Sequence, residues 1–265
     1  MISEKVAAWD EPRKKGVRRF AEILARDFRG LIKLNLLYCL CVLPSVVLFL
    51  SCLFGVLNQA ALLLLLPAAF PVGGAGCALS FCITKMLRDE PGYVLYDFKR
   101  KFKENVKQAA LPGILYAVFV CAQVYLWGSL VVSGAAGSLG WLILGFASLM
   151  MVWMISPYFF LQVAYIDLKS MQIVKNSVLI SFGAAARSIA GAVTGGAVWI
   201  VFFLLLPDSL LFIPIILLFG FSLSRLLNLM WVWPPVDRQF SIEKTLSACY
   251  DEPAGALDII HPNKL

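Results

Sequence analysis

Residues 88–108, RDEPGYVLYDFKRKFKENVKQ, form a strongly polar interruption in an otherwise apolar middle of the chain. Two hydrophobic segments precede this stretch and four follow it, each close to the roughly 20 residues that a helix needs to cross a bilayer. The pattern is typical of a loop that stays in water between membrane spans.

The polar stretch also has the spacing of a short amphipathic helix. Pro91 and Gly92 break the chain, and helical periodicity resumes from Tyr93 to Ala110. Apolar residues recur every four positions on one face, at Val94, Phe98, Phe102 and Val106, and basic residues surround them at Lys99, Arg100, Lys101, Lys103 and Lys107. This pattern predicts a helix on the membrane surface, and the alternative is a solvated basic loop that orients the protein.

The composition indicates an all-α polytopic membrane protein, because 60% of the residues are hydrophobic and only 15% are charged. Six of the seven cysteines lie in apolar segments with no CxxC spacing, so we interpret them as packing residues. The single histidine, His261, lies in the polar tail. No metal or cofactor is predicted. The spans lack the carboxylates and histidines that catalysis would need, and the chain lacks a phosphate-binding glycine loop, so we do not expect an enzyme.

We predict six transmembrane helices arranged as three hairpins, each preceded by an amphipathic helix on the cytoplasmic side. The predicted spans are about 31–57, 60–86, 111–133, 139–166, 189–206 and 210–233, with a cytoplasmic loop at 87–110. Residues 1–30 form a basic amphipathic segment, residues 31–235 the membrane domain and residues 236–265 a polar cytoplasmic tail.

Prolines and glycines mark expected irregularities within the spans. An amphipathic helix at 16–34 is expected on the inner leaflet, and Pro44 should kink the span that follows it. Pro234 and Pro235 should end the sixth span. The second span should be broken near its middle by Pro67, Pro71, Gly73, Gly74 and Gly76.

Charge placement predicts the orientation. All 23 Lys and Arg residues fall on one side of the six spans or within its reach, and the three turns on the other side contain none. Both termini are therefore predicted to be cytoplasmic, and the basic inner face should bind anionic lipid or an acidic partner. No nucleic-acid partner is expected, and the oligomeric state is not predicted.

A few polar residues fall inside the predicted spans. Gln123 is expected to form an interhelical hydrogen bond, and Gly191 with Gly195 is expected to form a close-packing face. Arg225 is expected to reach toward the interface near Trp233, with a buried functional arginine as the alternative. Asn228, one turn further on, is the remaining intramembrane candidate.

Three segments that lead into pairs of spans share a pattern. Asp27, Asp97 and Asp167 are spaced by 70 residues, each aspartate is followed after one residue by a basic side chain, and a Lys and an Asn come about two turns later. The members besides the aspartates are Arg29, Lys33 and Asn35, then Lys99, Lys103 and Asn105, then Lys169, Lys175 and Asn176. The pattern predicts three copies of one module with recurring contacts, and the alternative is a shared preference for Asp at helix starts and Lys at inner ends.

The central stretch resembles the YesL-like family of bacterial membrane proteins. The resemblance covers about residues 20–230, and its most specific part is the string Arg88, Asp89, Glu90, Gly92, Tyr93, Asp97, Phe98, Phe102, Lys103 and Asn105. It implies a multi-pass protein of the bacterial plasma membrane, often encoded beside carbohydrate uptake systems, with no established activity and no catalytic residues to transfer.

Two functions follow as hypotheses. The first is an accessory or scaffolding protein beside a carbohydrate ABC transporter, with its permease as the candidate partner. Its contacts would come from Arg88, Asp89, Tyr93, Asp97, Phe98, Lys99, Arg100, Lys101, Lys103 and Asn105. The alternative is a small-solute carrier with a site at the broken second span, near Gly73, Gly74 and Gln123.

Overall fold

The computed structural model describes residues 16–132, 139–166, 168–205 and 212–245, and these ranges are helical with no strand. Six helices are long and apolar enough to cross a membrane, which confirms the prediction of an all-α chain with six helices able to span a membrane. The helices are α1 (Val17–Leu53), α2 (Leu65–Ala68), α3 (Phe70–Leu87), α4 (Val94–Asn105), α5 (Ala110–Val132), α6 (Leu139–Tyr165), α7 (Ser170–Gly183), α8 (Ala185–Leu205), α9 (Phe212–Ile215) and α10 (Phe221–Phe240). A 3₁₀ segment, Gln59–Leu64, precedes α2, and a π-helical segment, Ile216–Gly220, precedes α10.

Helix α1 spans 37 residues but consists of two helical parts joined by a kink, so a helical lead-in is set off from the span at the kink rather than near residue 31. Pro44 lies inside it, and only Asp27 has non-helical angles, with φ −105° and ψ 16°. Ile23, Leu31 and Leu34 are buried at helical spacing against one core. Because these buried residues lie on both sides of the kink, both parts of α1 pack against the same core.

The second predicted span is irregular before its glycines rather than at them. The 3₁₀ segment and α2 lead to a junction at Ala69, and α3 then begins at Phe70 with Pro71 in its first turn. Gly73 and Gly74 lie in the regular part of α3, where a Cβ would meet Ala109 and Val106. The expected break in this span is therefore present, but it lies at Ala69 between Pro67 and Pro71, whereas the glycines form a packing face that lets the start of α5 approach α3.

Helix α3 occupies the centre of the bundle. Residues 72–84 are buried without interruption, and α1, α4, α5, α6 and α10 surround them. Cys77 and Cys82 are free thiols in this core, as expected of packing residues.

Helices α8 and α10 pack closely, as the glycine spacing predicts. A Cβ at Gly191 would lie 3.1 Å from the Asn228 carbonyl oxygen, and one at Gly195 would lie 3.0 Å from that of Ser224. The Ser224 hydroxyl donates a hydrogen bond of 2.8 Å to the Gly195 carbonyl. The predicted close-packing face is confirmed.

Helix α10 continues through Pro234 and Pro235 to Phe240, so the prediction that these prolines end the helix is wrong. Val232, Trp233 and Val236 are buried on one face across the proline pair. This burial outweighs the low helix propensity of proline. The helix ends at Ser241, which has left-handed angles (φ 50°, ψ 41°), and the Asp237 carboxylate accepts a hydrogen bond from the Glu243 amide.

The π-helical segment before α10 is held open by Asn35 of α1. Its side-chain amide donates to the carbonyls of Ile216 (2.9 Å) and Leu217 (2.6 Å), and its oxygen accepts from the Ser222 amide (2.8 Å). A π-helical turn leaves backbone groups without their usual partners, and one fully buried asparagine satisfies three of them.

Candidate functional site

The polar stretch begins with a turn that sends Arg88 and Asp89 in different directions. Helix α3 ends at Leu87, and Asp89 follows with a positive φ of 62°. Aspartate tolerates this left-handed backbone better than most residues. Arg88 then points to α6 and α10, whereas Asp89 points to α1.

Arg88 lies between two aromatic rings. Its guanidinium carbon is 5.3 Å from the ring centre of Tyr165 and 5.1 Å from that of Trp233. It donates to the Tyr165 hydroxyl and to the Glu90 carboxylate, both at 3.0 Å. Only 3% of the Arg88 side chain and 7% of the Glu90 side chain is exposed. An ion pair this deeply buried needs such additional partners, because both charges have lost their water.

The segment after α10 joins the same cluster. The Trp233 indole N–H donates to the Glu243 carboxylate at 3.0 Å, and Tyr165 shares a 2.7 Å hydrogen bond with Thr84. We call Arg88, Glu90, Tyr165, Trp233 and Glu243 the aromatic-charge cluster. It joins the end of α3 to α6, to α10 and to the segment that follows α10.

Asp89 is clamped by two arginines of α1. Arg19 and Arg26 both donate to its carboxylate. The same arginines donate to the carbonyls of Leu87 and Met86, each at 2.8 Å, in the last turn of α3. The carbonyls at a helix C-terminus have no partner within the helix, so this clamp satisfies part of that end.

The clamp shifts the acidity of Asp89. Its partial burial alone would raise the pKa, but the hydrogen bonds and charges of Arg19 and Arg26 outweigh that effect. The pKa of the Asp89 carboxyl therefore lies below its ordinary value.

We expect the clamp to open in acid. Because the pKa of Asp89 is lowered by folding, its contribution is complete above the ordinary value of about 3.9 and is lost as the pH falls through the lower folded value. The protection of the amides of residues 88–90, 92 and 93 against hydrogen exchange, relative to the intrinsic chemical rate, should therefore be constant at higher pH and fall once the pH drops below about 4. In Asp89→Asn, exchange at these amides should already be fast at pH 6. Equal protection in the two proteins at pH 6 would contradict the clamp.

Helix α4 is held against α3 by its acidic and apolar residues. Asp97 is buried and accepts a 2.8 Å hydrogen bond from Lys85 of α3. A Cβ at Gly92 would lie 2.6 Å from the same carboxylate, so a side chain at that position would displace the Lys85–Asp97 ion pair. The predicted apolar face, including Phe98 and Phe102, packs on the protein core rather than facing lipid, which corrects the expectation of a helix lying on the membrane by that face.

The opposite side of α4 is exposed and carries aromatic, aliphatic and basic side chains. We call this the outer face of α4; it comprises Tyr93, Leu95, Tyr96, Lys99, Arg100 and Lys103. The Arg100 guanidinium lies 5.6 Å from the Tyr96 ring centre. Lys101 was predicted as a partner contact, but it is not part of this face. It lies 5.0 Å from the Phe81 ring centre and pairs with Glu104 at 2.8 Å.

The predicted repeat of contacts does not recur between its first two copies. Asp27 pairs with its neighbour Arg26 and Asn35 bonds to the segment before α10, whereas Asp97 pairs with Lys85 and Asn105 donates to Lys101 in its own helix. In the third copy Asp167 lies outside the described residues, and Asn176 is half-buried. The remaining members are exposed at Arg29, Lys33, Lys169 and Lys175. Sequence spacing did not fix these contacts, because each asparagine meets a different neighbour.

The intramembrane candidates lie elsewhere in the bundle. Gln123 donates to Ser148 of α6 at 2.8 Å and accepts from Trp127 at 3.1 Å, which confirms the predicted interhelical hydrogen bond. The Arg225 guanidinium lies over the Phe160 ring, with 5.2 Å between its carbon and the ring centre. Asn228 is buried against α8.

Sequence reasoning missed the partners that build the site, namely Arg19, Arg26, Lys85, Tyr165 and Glu243. Trp233 was interpreted only as an interfacial aromatic. The one available signal was the set of charged and aromatic residues at the ends of apolar segments, which does not say which of them meet. Within the described ranges, no group of three or more His, Cys, Asp or Glu side chains is placed to hold a metal.

The fold and this site define a multi-pass helical membrane protein with a network of buried charges at one end of its bundle. No protein-family model, no curated protein and no solved structure matches the chain.

Proposed function

We propose that the chain is an accessory or scaffolding protein of the bacterial plasma membrane that binds a partner through the outer face of α4. The observation that carries this proposal is the contrast between the two sides of α4. One side is fixed to the bundle through Asp97 and Phe98, while the other presents exposed aromatic and basic side chains from a rigid base. A rigid display of Tyr and Arg is typical of protein interfaces, because little conformational entropy is lost on binding.

The proposed topology places this face in the cytoplasm. In it, α1 to α3, α4 to α6 and α7 to α10 form three units, each with a lead-in followed by a membrane hairpin, and both termini are cytoplasmic. The support is the absence of Lys and Arg from the three turns on the opposite side. The resemblance of residues 88–105 to the YesL-like family supports the bacterial plasma membrane as the location.

The proposed partner is a permease subunit of a carbohydrate ABC transporter that offers an acidic surface. The charge of Lys99, Arg100 and Lys103 favours such a surface, and the family resemblance supports the type of transporter. The carrier alternative has less support. Ala109 and Val106, which lie just before α5, occupy the space beside Gly73 and Gly74, so there is no room for a solute there.

Charge reversal on the outer face tests this function. Lys99→Glu, Arg100→Glu and Lys103→Glu together should reduce recovery of the permease in a mild-detergent pull-down by at least about tenfold, since buried or rim charge pairs steer and hold such interfaces. Lys169→Glu with Lys175→Glu is the matched control, because both lysines are exposed on α7, and recovery should be retained. Mass spectrometry of the bound fraction measures the permease.

Three results would contradict the proposal or redirect it. Equal permease recovery from the triple variant and the wild type would exclude the outer face as the interface. A protein without a permease partner that moves labelled sugar into vesicles would favour the carrier. If the triple variant lost only its binding to liposomes that contain anionic lipid, the outer face would bind lipid instead of a permease. The expected loss of binding free energy is about 1 kcal/mol for each basic residue.

A further inference from the structure

Arg225 is a charged side chain well inside the bundle. It lies eight residues before Trp233 on α10, which places it about 12 Å further in at 1.5 Å per residue. It is half-buried, and within residues 16–132, 139–166, 168–205 and 212–245 it has neither an ion pair nor a hydrogen-bond acceptor. Its guanidinium makes a cation–π contact with Phe160, with 5.2 Å between the guanidinium carbon and the ring centre.

A cation at this depth is costly, so such residues usually line a pathway or a binding site. The Phe160 ring offsets part of the cost through its negative face, but a ring supplies no hydrogen-bond acceptor to the guanidinium. Arg88 shows the contrast, since it has rings on both sides and also a carboxylate. The environment of Arg225 therefore holds the guanidinium in place without neutralising it.

Two tyrosines lie around the same position. The Tyr116 ring of α5 meets Phe160 edge to face at 5.7 Å. Tyr38 of α1 packs against Phe221, one turn before Arg225 on α10, with 5.0 Å between the ring centres. Gly76 of α3 makes this arrangement possible, because a Cβ there would come within 3.0 Å of Phe160. Residues of α1, α3 and α5 thus pack against Phe160, which contacts the guanidinium, or against the turn of α10 before Arg225.

The backbone and the next turn of α10 add independent observations. The π-helical segment Ile216–Gly220 ends five residues before Arg225, and π-helical turns inside α-helices occur frequently at functional sites. One turn after Arg225, the Asn228 side chain is buried, and neither atom of its amide has a hydrogen-bond partner among the described residues. Buried polar groups of this kind ordinarily find a partner.

We propose that Arg225, with Tyr38 and Tyr116, binds one phosphate group inside the bundle. The guanidinium offers a planar fork of N–H donors, and each phenol adds one O–H donor. A phosphate presents several acceptor oxygens and at least one negative charge, so it matches a site made of donors and a cation. The phosphate belongs either to the headgroup of a phospholipid or to a small free phosphate. This site lies apart from the outer face of α4 and does not depend on the scaffolding function.

Thermal unfolding of the purified, delipidated protein in detergent tests the site. One series adds inorganic phosphate, with chloride at matched ionic strength, and a second adds short-chain phosphatidylglycerol. We expect at least one series to raise the unfolding midpoint of the wild type. Arg225→Met should then need at least about tenfold more ligand, because a hydrogen bond to a charged group is worth about that factor or more. Arg238→Met, an exposed arginine on the same helix, is the control and should behave like the wild type.

The two series separate the sources of the phosphate. Stabilisation by inorganic phosphate identifies a free phosphate, and stabilisation by the lipid alone identifies a headgroup. If Arg225→Met does not fold, Tyr38→Phe with Tyr116→Phe removes only two hydroxyl groups and should weaken the response about threefold or more. No response of the wild type to either ligand, or an unchanged response in the variants that fold, would overturn the proposal. Failure here would leave the permease pull-down unaffected.

Discussion

Gly73→Ala should lower the free energy of unfolding by about 3 kcal/mol or more, at the upper end of what overpacking costs. A Cβ at this position would overlap the carbonyl oxygen of Ala109 and lie 2.7 Å from its carbonyl carbon. These are backbone atoms at the start of α5, so no side chain can move aside to make room. The clash is reciprocal, since a Cβ at Gly113 of α5 would overlap the backbone of Gly73.

Gly128→Ala is the matched control for this substitution. It lies in α5, where no heavy atom is within 4 Å of the added Cβ, and alanine is the better helix former by up to about 1 kcal/mol. The unfolding midpoint in detergent, together with the monodisperse fraction on size exclusion, measures both variants. If Gly73→Ala matched Gly128→Ala, α3 and α5 would not pack as closely as described.

Arg88→Met should destabilise the protein by about 3–5 kcal/mol, the usual effect of removing one partner from a buried ion pair. Methionine retains much of the volume between Tyr165 and Trp233 but leaves the buried Glu90 carboxylate without the guanidinium. Arg100→Met is the control from the same loop, because the Arg100 side chain is 44% exposed and its ion pairs are long, at 3.6 and 3.9 Å. We expect it to change stability by less than about 1 kcal/mol.

A double variant separates the lost charge pair from lost packing. Adding Glu90→Gln to Arg88→Met removes the negative charge that the guanidinium had paired with, so the double variant should recover part of the stability lost in Arg88→Met. Chemical unfolding of the wild type, Arg88→Met, Glu90→Gln and the double variant in detergent gives the coupling energy. Strictly additive effects would mean that Arg88 acts through its aromatic contacts and not through Glu90.

The coarse architecture could be predicted because it depends on local properties of the sequence. The length and apolar composition of six segments fix six helices that can cross a membrane. The four-residue spacing of Val94, Phe98 and Phe102 indicates which side of α4 is apolar, and that side is the one packed on the core. The spacing of Gly191 and Gly195 likewise predicts the close approach of α8 and α10.

The boundaries and the site depend on partners that are distant in the chain. A proline pair is a local stop signal, but burial of Val232 and Val236 carries α10 past it. Asn35 and Asn105 look equivalent in spacing, yet one bonds to a backbone 181 residues away and the other to its own helix. Contacts of this kind are decided by which surfaces meet.

The sequence by itself determined an all-helical membrane protein, because hydropathy, span length and helical period are properties of neighbouring residues. Only the tertiary structure decided that Arg88 is buried between Tyr165 and Trp233, that Arg19 and Arg26 clamp Asp89, and that Arg225 rests on Phe160. The physical reason is that the energetic cost of a charge depends on its surroundings, and the residues around these charges come from α1, α6 and α10, which are far apart in the sequence. The aromatic-charge cluster and the Arg225 site are therefore products of packing.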